Sequence, residues 1–271
     1  MNAPGTLEIA NLTKSFGGVR ALTGVDLRID AGETVGVIGP NGSGKTTLFN
    51  VLTGVIAADS GSAVWAQEGG DLLKLKPWQI FEKGIARTFQ NIRLSPGQSV
   101  LENVLVGCHL TARTTWWSVL GGLPQVARRD AEARERAMQA LEFVARDIAA
   151  TPDRLAGALS YADRRRVEFA RAIASEPKLL LLDEPTAGMN PRETAEIADD
   201  IRKISEKGLS ILVIEHKMKF VASLASRIAV LNFGRKIAEG AYEDVRSDPV
   251  VLESYLGRKG DHLSNDDAAR A

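Results

Sequence analysis

The 271-residue chain has a single cysteine, Cys108, so no intrachain disulfide can form. A lone cysteine reads as a small buried apolar residue, and no histidine–carboxylate pattern near it marks a nucleophile. Excess charge of one sign is also missing. The 34 Lys and Arg balance 34 Asp and Glu, so overall charge gives no argument for nucleic acid or an anionic membrane surface. No stretch nears the ~20 apolar residues of a membrane span. The longest aliphatic runs, Leu179–Leu182 and Ile211–Ile214, have strand length. The first six residues carry neither a basic cluster nor an apolar core, so no signal peptide is expected. His109 and His262 lack partners at metal-ligand spacing. Repeats and low-complexity linkers are absent as well. A soluble globular protein is expected, with any membrane role coming through a partner.

What is present alternates between two periods. Leu7, Ile9 and Leu12, then Ala21 to Ile29, read as strands broken by Gly17-Gly18 and Ala31-Gly32. Thr34–Ile38 is almost wholly apolar, which suits a strand buried on both faces. A helix is predicted from about Thr46 to Gly54, and residues 60–90 read as strands and short turns. From about 95 the texture is helical, with Ala137, Leu141, Val144 and Ile148 at spacings of three and four. Leu159-Ser160 opens another helix with Val167, Ala170 and Ile173 on one face, closed by Pro177. Strands at 179–182, 210–214 and 228–232 then alternate with helices near 192–206, 217–224 and 249–256. That alternation predicts an α/β fold with a mainly parallel core sheet, an N-terminal antiparallel β part and an inserted helical subdomain at about 95–165. Residues 1–257 form one domain in this reading, and 258–271 a polar, disordered tail.

Gly39-Pro40-Asn41-Gly42-Ser43-Gly44-Lys45-Thr46 matches the phosphate-binding P-loop pattern in full, with a buried strand before it and a helix after. Glycines let backbone N–H groups curl round phosphates, and the helix N-terminus adds a favourable dipole. Lys45 is placed to reach the β- and γ-phosphates, and Thr46 to ligate Mg²⁺. A P-loop needs an acidic partner at the end of another buried strand. Leu179–Leu182 forces such a strand into the core, and Asp183-Glu184 follows it. Asp183 is the candidate Mg²⁺ holder. Glu184 is placed to act as general base on a water.

Between these sites lies Leu159-Ser160-Tyr161-Ala162-Asp163, about twenty residues before Asp183. It resembles the signature motif of ABC ATPases, usually Leu-Ser-Gly-Gly-Gln. Phe89-Gln90 looks like that family's glutamine loop, Thr186–Asn190 its D-loop, and Ile214-Glu215-His216 its switch-histidine strand. Phe16 matches the aromatic that stacks on adenine. The motifs span roughly residues 7 to 245. The resemblance implies ATP and Mg²⁺ as ligands. Gly39, Pro40, Asn41, Gly42, Ser43, Gly44, Lys45, Thr46 and Thr47 would contact nucleotide. Thr46, Gln90 and Asp183 would serve the metal. Glu184, His216 and Gln90 would be catalytic, and Ser160 would bind the partner's ATP in a head-to-tail dimer bridged at Asn190.

A finer resemblance, to the branched-chain amino-acid importer ATPases, rests on four segments. They are Thr88–Leu94 with Ser99–Val104, Ala187–Thr194, Ile214–Val221 and Ser254–Gly257. This chain looks like the longer of the two ATPase subunits, with residues 108–130 as its insert and Trp116-Trp117 packed within it. The implied partners are a second ATPase subunit, two membrane permeases and, indirectly, a periplasmic binding protein, with no nucleic acid. The implied place is the cytoplasmic face of the inner membrane. Lipopolysaccharide-export ATPases and the ABC clamps of DNA repair, chromosome organisation or translation are the alternative readings. Those clamps usually carry a long coiled coil, zinc cysteines or a second head, and this chain has none.

The signature departs from the common form. Ala162 adds a methyl near a phosphate and disfavours left-handed backbone angles. Asp163 brings a carboxylate toward a polyanion. With a different subunit as partner, both predict that the chain's own P-loop site is the stronger of two unequal sites; in the alternative reading, helix-dipole and N–H contacts survive and both sites work. On a helix Arg164, Arg165 and Arg166 fan over different faces and acids follow, so a solvated or phosphate-facing role is expected.

Overall fold

The first apolar-rich runs pair as a hairpin. β1 (Leu7–Phe16) and β2 (Val19–Ile29) lie antiparallel around Gly17-Gly18, whose φ angles are 49° and 89°. A two-residue hairpin turn requires such angles, and glycine adopts them without a Cβ clash. Asn11, at φ 50°, sits in a register shift that moves the buried alternation from Ile9 to Leu12. β4 (Ser60–Trp65) covers the other edge of β1, giving the order β2-β1-β4. The computed structural model describes residues 7–66, 70–109 and 123–256.

The second sheet contains the strands that were almost continuously apolar in sequence. β3 (Thr34–Ile38), β6 (Leu179–Asp183) and β7 (Ser210–Ile214) are buried at every residue. Together with β5 (Ile85–Arg87), β8 (Arg227–Asn232) and β9 (Arg235–Gly240) they run in the order β5-β6-β7-β3-β8-β9. All neighbours are parallel except β8 and β9. β9 is absent from the sequence reading. It is a short polar edge strand, half-buried where β8 is buried, and a tight turn at Phe233-Gly234 brings it back. Residues 60–90 also hold a helix, α2 (Pro77–Glu82), whose start carries proline at its first position.

The two faces of the core sheet serve different layers, because side chains alternate along each strand. Leu179 and Leu181 join Val35, Val37 and Leu212 against α1 (Lys45–Leu52) and the antiparallel sheet. Leu180 and Leu182 face the other way, onto Ile197, Ile201 and Ile204 of a long helix, Pro191–Ser205. Burying each leucine contributes about 1.5–3 kcal/mol.

A third cluster is mostly helical. It joins α3 (Val100–His109), α4 (Leu123–Val144), α5 (Arg146–Ala149) and α6 (Tyr161–Ile173) around Val104, Cys108, Leu141 and Val167. Cys108 is fully buried, and burial pushes its thiol upward from the ordinary range. α6 belongs to two clusters. Val167 and Ala170 face the helical layer, while Ala162 and Phe169 face the sheet. The Pro191–Ser205 helix is α7, followed by α8 (Met218–Ala222), α9 (Tyr242–Ser247) and α10 (Pro249–Leu256). No helix among the described residues is long and apolar enough to cross a membrane. Trp116, Trp117, most of the 108–130 insert, His262 and the polar tail lie outside the described residues.

Candidate functional site: a phosphate loop and the carboxylates beside it

β3 delivers the chain into the loop 39–46 at the carboxyl end of the sheet, and α1 leaves it. The loop is wedged in place by backbone on two sides. A Cβ on Gly39 would sit 2.1 Å from the Leu231 carbonyl oxygen, and one on Gly44 2.4 Å from that of Ala21. Gly44 has φ 105°, so both its space and its angle demand glycine. The β8–β9 turn buttresses the loop through Gly234, whose N–H donates to Ser43 O at 3.0 Å.

No side chain caps α1, and its first turn carries no acid. Its leading N–H groups therefore lack an internal partner, which makes a ready anion site. Buried Ser43 has a hydroxyl with no hydrogen-bond partner, inside the same loop. Lys45 is 5% exposed and donates from Nζ to Gly39 O at 2.7 Å and Pro40 O at 3.0 Å. Burial pulls its ammonium below the ordinary lysine range, while Glu184, Asp183 and Glu215 oppose that pull. An anion delivered to the loop would favour the charged lysine further. Thr46 is exposed, Thr47 half-buried, and Asn41 and Gly42 face solvent. Phe16, 46% exposed at the end of β1, carries the Lys14 ammonium 5.4 Å from its ring centroid.

The two carboxylates part company at the end of β6. Asp183 is still in register with Ile214 of β7, whereas Glu184 turns to φ 44°. A non-glycine residue held there costs about 1–3 kcal/mol. Its N–H is fixed by Ile214 O at 2.9 Å. Its Oε2 accepts from Gln90 Nε2 at 2.9 Å, across 94 residues of sequence. The structure thus joins Gln90 to Glu184 directly. His216 is half exposed just beyond β7, with Nδ1 3.4 Å from a Glu215 oxygen.

Several residues central to this arrangement escaped the sequence reading. Arg87, 7% exposed at its side chain, donates from Nη2 to Asp183 Oδ2 at 2.7 Å. Its Nη1 reaches Asn50 Oδ1 and Thr53 Oγ1, and its guanidinium lies near the rings of Phe49 and Phe89. One carboxylate oxygen of Asp183 is thereby committed. Glu215 is fully buried and accepts from the Thr186 N–H at 3.1 Å, the Thr186 hydroxyl at 2.5 Å and the His216 N–H at 3.0 Å. It ties the start of the 186–190 turn to the histidine. Asn190 ends that turn as N-cap of α7, in a reciprocal capping box with Glu193. The donor set of Thr46 hydroxyl, Asp183 carboxylate and Gln90 amide is all hard oxygen, which fits Mg²⁺ chemistry.

Residues 22–187 match the family described as ABC transporter, and 235–261 match a branched-chain amino acid ATP-binding cassette transporter family. The chain belongs to the ABC transporter ATP-binding family. BraF of Pseudomonas aeruginosa, a high-affinity branched-chain amino acid transport ATP-binding protein, is 40% identical over 252 residues. The match covers 93% of this chain and 97% of BraF. Among solved structures, the ADP conformation of MJ1267, an ATP-binding cassette of an ABC transporter, superimposes with a TM-score of 0.80 at 35% identity. That match covers 93% of this chain and 98% of MJ1267. The cassette MJ0796, solved as a dimer bound to ADP and Pi in a post-hydrolysis state, gives 0.70 at 26% identity, covering 87% and 98%.

In this ABC ATPase the signature departs from the common form less than its sequence indicates. Ser160 is the N-cap of α6, and its Oγ accepts from the Asp163 N–H at 3.1 Å. Ala162 lies in the first turn of that helix and needs no left-handed angle, so the objection drawn from backbone angle does not hold. Asp163 stands where an acid favours a helix start, 3.8 Å from Arg166 Nη1. The arginine run is likewise corrected. Arg166 pairs with Glu196 and Asp200 of α7, Arg164 donates to Leu159 O and Gly157 O, and Arg165 is fully buried. The ~100° step of a helix turns these three side chains to three different surroundings.

Two expected results follow for the signature. Ala162→Gly lowers unfolding free energy by about 1 kcal/mol in denaturant melts, the ordinary cost of glycine inside a helix. Asp163→Gln raises ATP turnover of the assembled protein about two- to fivefold, the scale of one partly screened like-charge contact. No gain in turnover would count against a repulsive role for Asp163.

Proposed function

We propose that this chain is the ATP-hydrolysing subunit that powers an importer of branched-chain or other hydrophobic amino acids. The observation that carries the reading is the Gln90–Glu184 hydrogen bond beside Lys45 and the loop 39–46, in a chain 40% identical to BraF over 93% of its length.

The residues divide the work as follows. Backbone N–H groups of Gly42 to Thr47 and the Lys45 ammonium hold the β- and γ-phosphates, and Phe16 stacks on the adenine. Thr46, Asp183 and Gln90 would hold Mg²⁺. When bound, the ion neutralises phosphate charge and orients the γ-phosphoryl group. Gln90 and Glu184 position a water in line with the γ-phosphorus. Glu184 takes that water's proton as its oxygen bonds to phosphorus and the bond to ADP breaks. His216 donates to the oxygens on which charge develops. Arg87 holds the Asp183 carboxylate in place through Oδ2 and leaves it acceptor sites for the metal.

Ser160 and the first N–H groups of α6 hold the γ-phosphate bound by a second ATPase subunit, and Asn190 bridges toward that subunit. Two nucleotides then join two head-to-tail chains, and hydrolysis releases them. Permeases carry this motion at the cytoplasmic face of the membrane, and a periplasmic binding protein selects the substrate. Reconstitution with the permeases and binding protein in vesicles tests the reading. Leucine, isoleucine or valine uptake is expected, driven by ATP and abolished by Glu184→Gln. ATP turnover indifferent to amino-acid-loaded binding protein would refute it.

A further inference from the structure

The segment carrying Gln90 is held from behind by one helix. Arg165 of α6 is 0% exposed, and its guanidinium is shared among several acceptors. Nη1 donates to Phe89 O at 2.7 Å and to Glu168 Oε2 at 2.7 Å. Nη2 donates to Gln90 O at 2.8 Å and to the Tyr161 hydroxyl at 3.3 Å. The two carbonyls are those of neighbouring peptides, so the planar fork fixes the backbone immediately before and after Gln90's amide nitrogen. Nearly two turns on, Arg171 donates from Nη1 to Arg93 O at 2.5 Å, and Glu168 lies between the two arginines. Burial raises the Glu168 carboxyl, and Arg165 and Arg171 oppose that rise.

A buried ion pair is an expensive way to fill space, since apolar side chains of the same volume do so at no desolvation cost. What the charge adds here is directional contact with backbone 75 and 76 residues away. Gln90 is thus held at two ends. Its peptide is fixed by α6, and its side chain bonds Glu184. α6 begins at Ser160, the residue assigned above to the second subunit's nucleotide. A hydrogen-bonded path therefore runs from Ser160 along α6 to Arg165, Gln90 and Glu184.

We propose that Arg165 is a positioning residue that makes Gln90 move with the signature helix, so nucleotide at Ser160 sets the hydrolytic geometry of this chain's own site. The inference rests on the roles of Gln90 and Glu184 given under Proposed function. Arg165→Lys keeps the charge beside Glu168 but replaces the planar fork with a point donor. In the full complex it is expected to lower kcat about tenfold, the loss of one charge-assisted hydrogen bond, with KM for ATP within about twofold. Amide hydrogen exchange over residues 88–93 should quicken by about the same factor, while exchange in β6 stays unchanged and reports an intact core. In a Gln90→Ala background the same substitution should change kcat by less than about twofold, because the two act in one path. Unchanged exchange over 88–93, or losses that multiply in the double variant, would overturn the proposal. If Arg165→Lys disturbs β6, the pair Arg165→Gln with Glu168→Gln removes both charges together and is read in the same two ways. Wild-type turnover in Gln90→Ala alone would remove the catalytic reading of Gln90 and this proposal with it. Multiplying losses with an impaired Gln90→Ala remove only the role of Arg165.

Discussion

Replacing Glu184 with glutamine is expected to lower ATP turnover by about 10²–10⁴-fold, the span attributed to a lost general base. Glutamine keeps the size of the side chain and an oxygen able to accept from Gln90 Nε2, so the local hydrogen bond survives. What disappears is the oxygen pair able to take a proton from water at neutral pH. The strained backbone at φ 44° is common to both side chains, so its cost cancels in the comparison. The Lys45 ammonium and the loop N–H groups, proposed above to hold the phosphates, remain in place, so the variant is expected still to bind ATP. The variant should therefore accumulate as an ATP-bound dimer in size-exclusion chromatography. A monomer with ATP and unimpaired turnover would sink the base assignment.

Removing the ammonium of Lys45 should act on binding instead. Lys45→Ala is expected to weaken ATP by about 2–5 kcal/mol, or some 30-fold to several thousandfold, as for truncating one member of a buried charge pair. The size of the effect follows from burial. The Nζ atom is 2.7 Å and 3.0 Å from two loop carbonyls and is shielded from water, so its attraction for phosphate is little screened. The empty fold should suffer less. Deleting a buried cation relieves its desolvation, while Asp183, Glu184 and Glu215 lose a favourable neighbour, and the two changes oppose. Calorimetric titration of ATP alongside a denaturant melt separates these effects. Retained micromolar affinity would contradict the phosphate role.

The motifs were legible because their chemistry is contiguous. A phosphate cradle needs glycines and a lysine within one turn of chain, and Gly39–Thr46 contains all of them. Four leucines before Asp183 suit a strand buried on both faces, in a run too short for a typical helix and closed by Asp183-Glu184-Pro185. Elements without such a signal were missed. β9 has half-buried residues at an edge, and α2 is a six-residue helix begun by proline, so neither shows a periodic stripe. The angle argued against Ala162 failed for a related reason. The motif alone does not say that its third residue already lies inside the first turn of α6.

The sequence by itself therefore determined the phosphate loop, the buried strands, the order of α and β, and the residue types able to bind nucleotide and activate water. The tertiary structure decided which of them meet. Gln90 reaches Glu184, Arg87 reaches Asp183 and Arg165 reaches the carbonyl of Gln90 over separations of 94, 96 and 75 residues. Glu215 joins the turn at Thr186 to His216 from inside the core. A charged residue carries no local mark of burial, because its desolvation is tolerated only once distant partners have been folded against it.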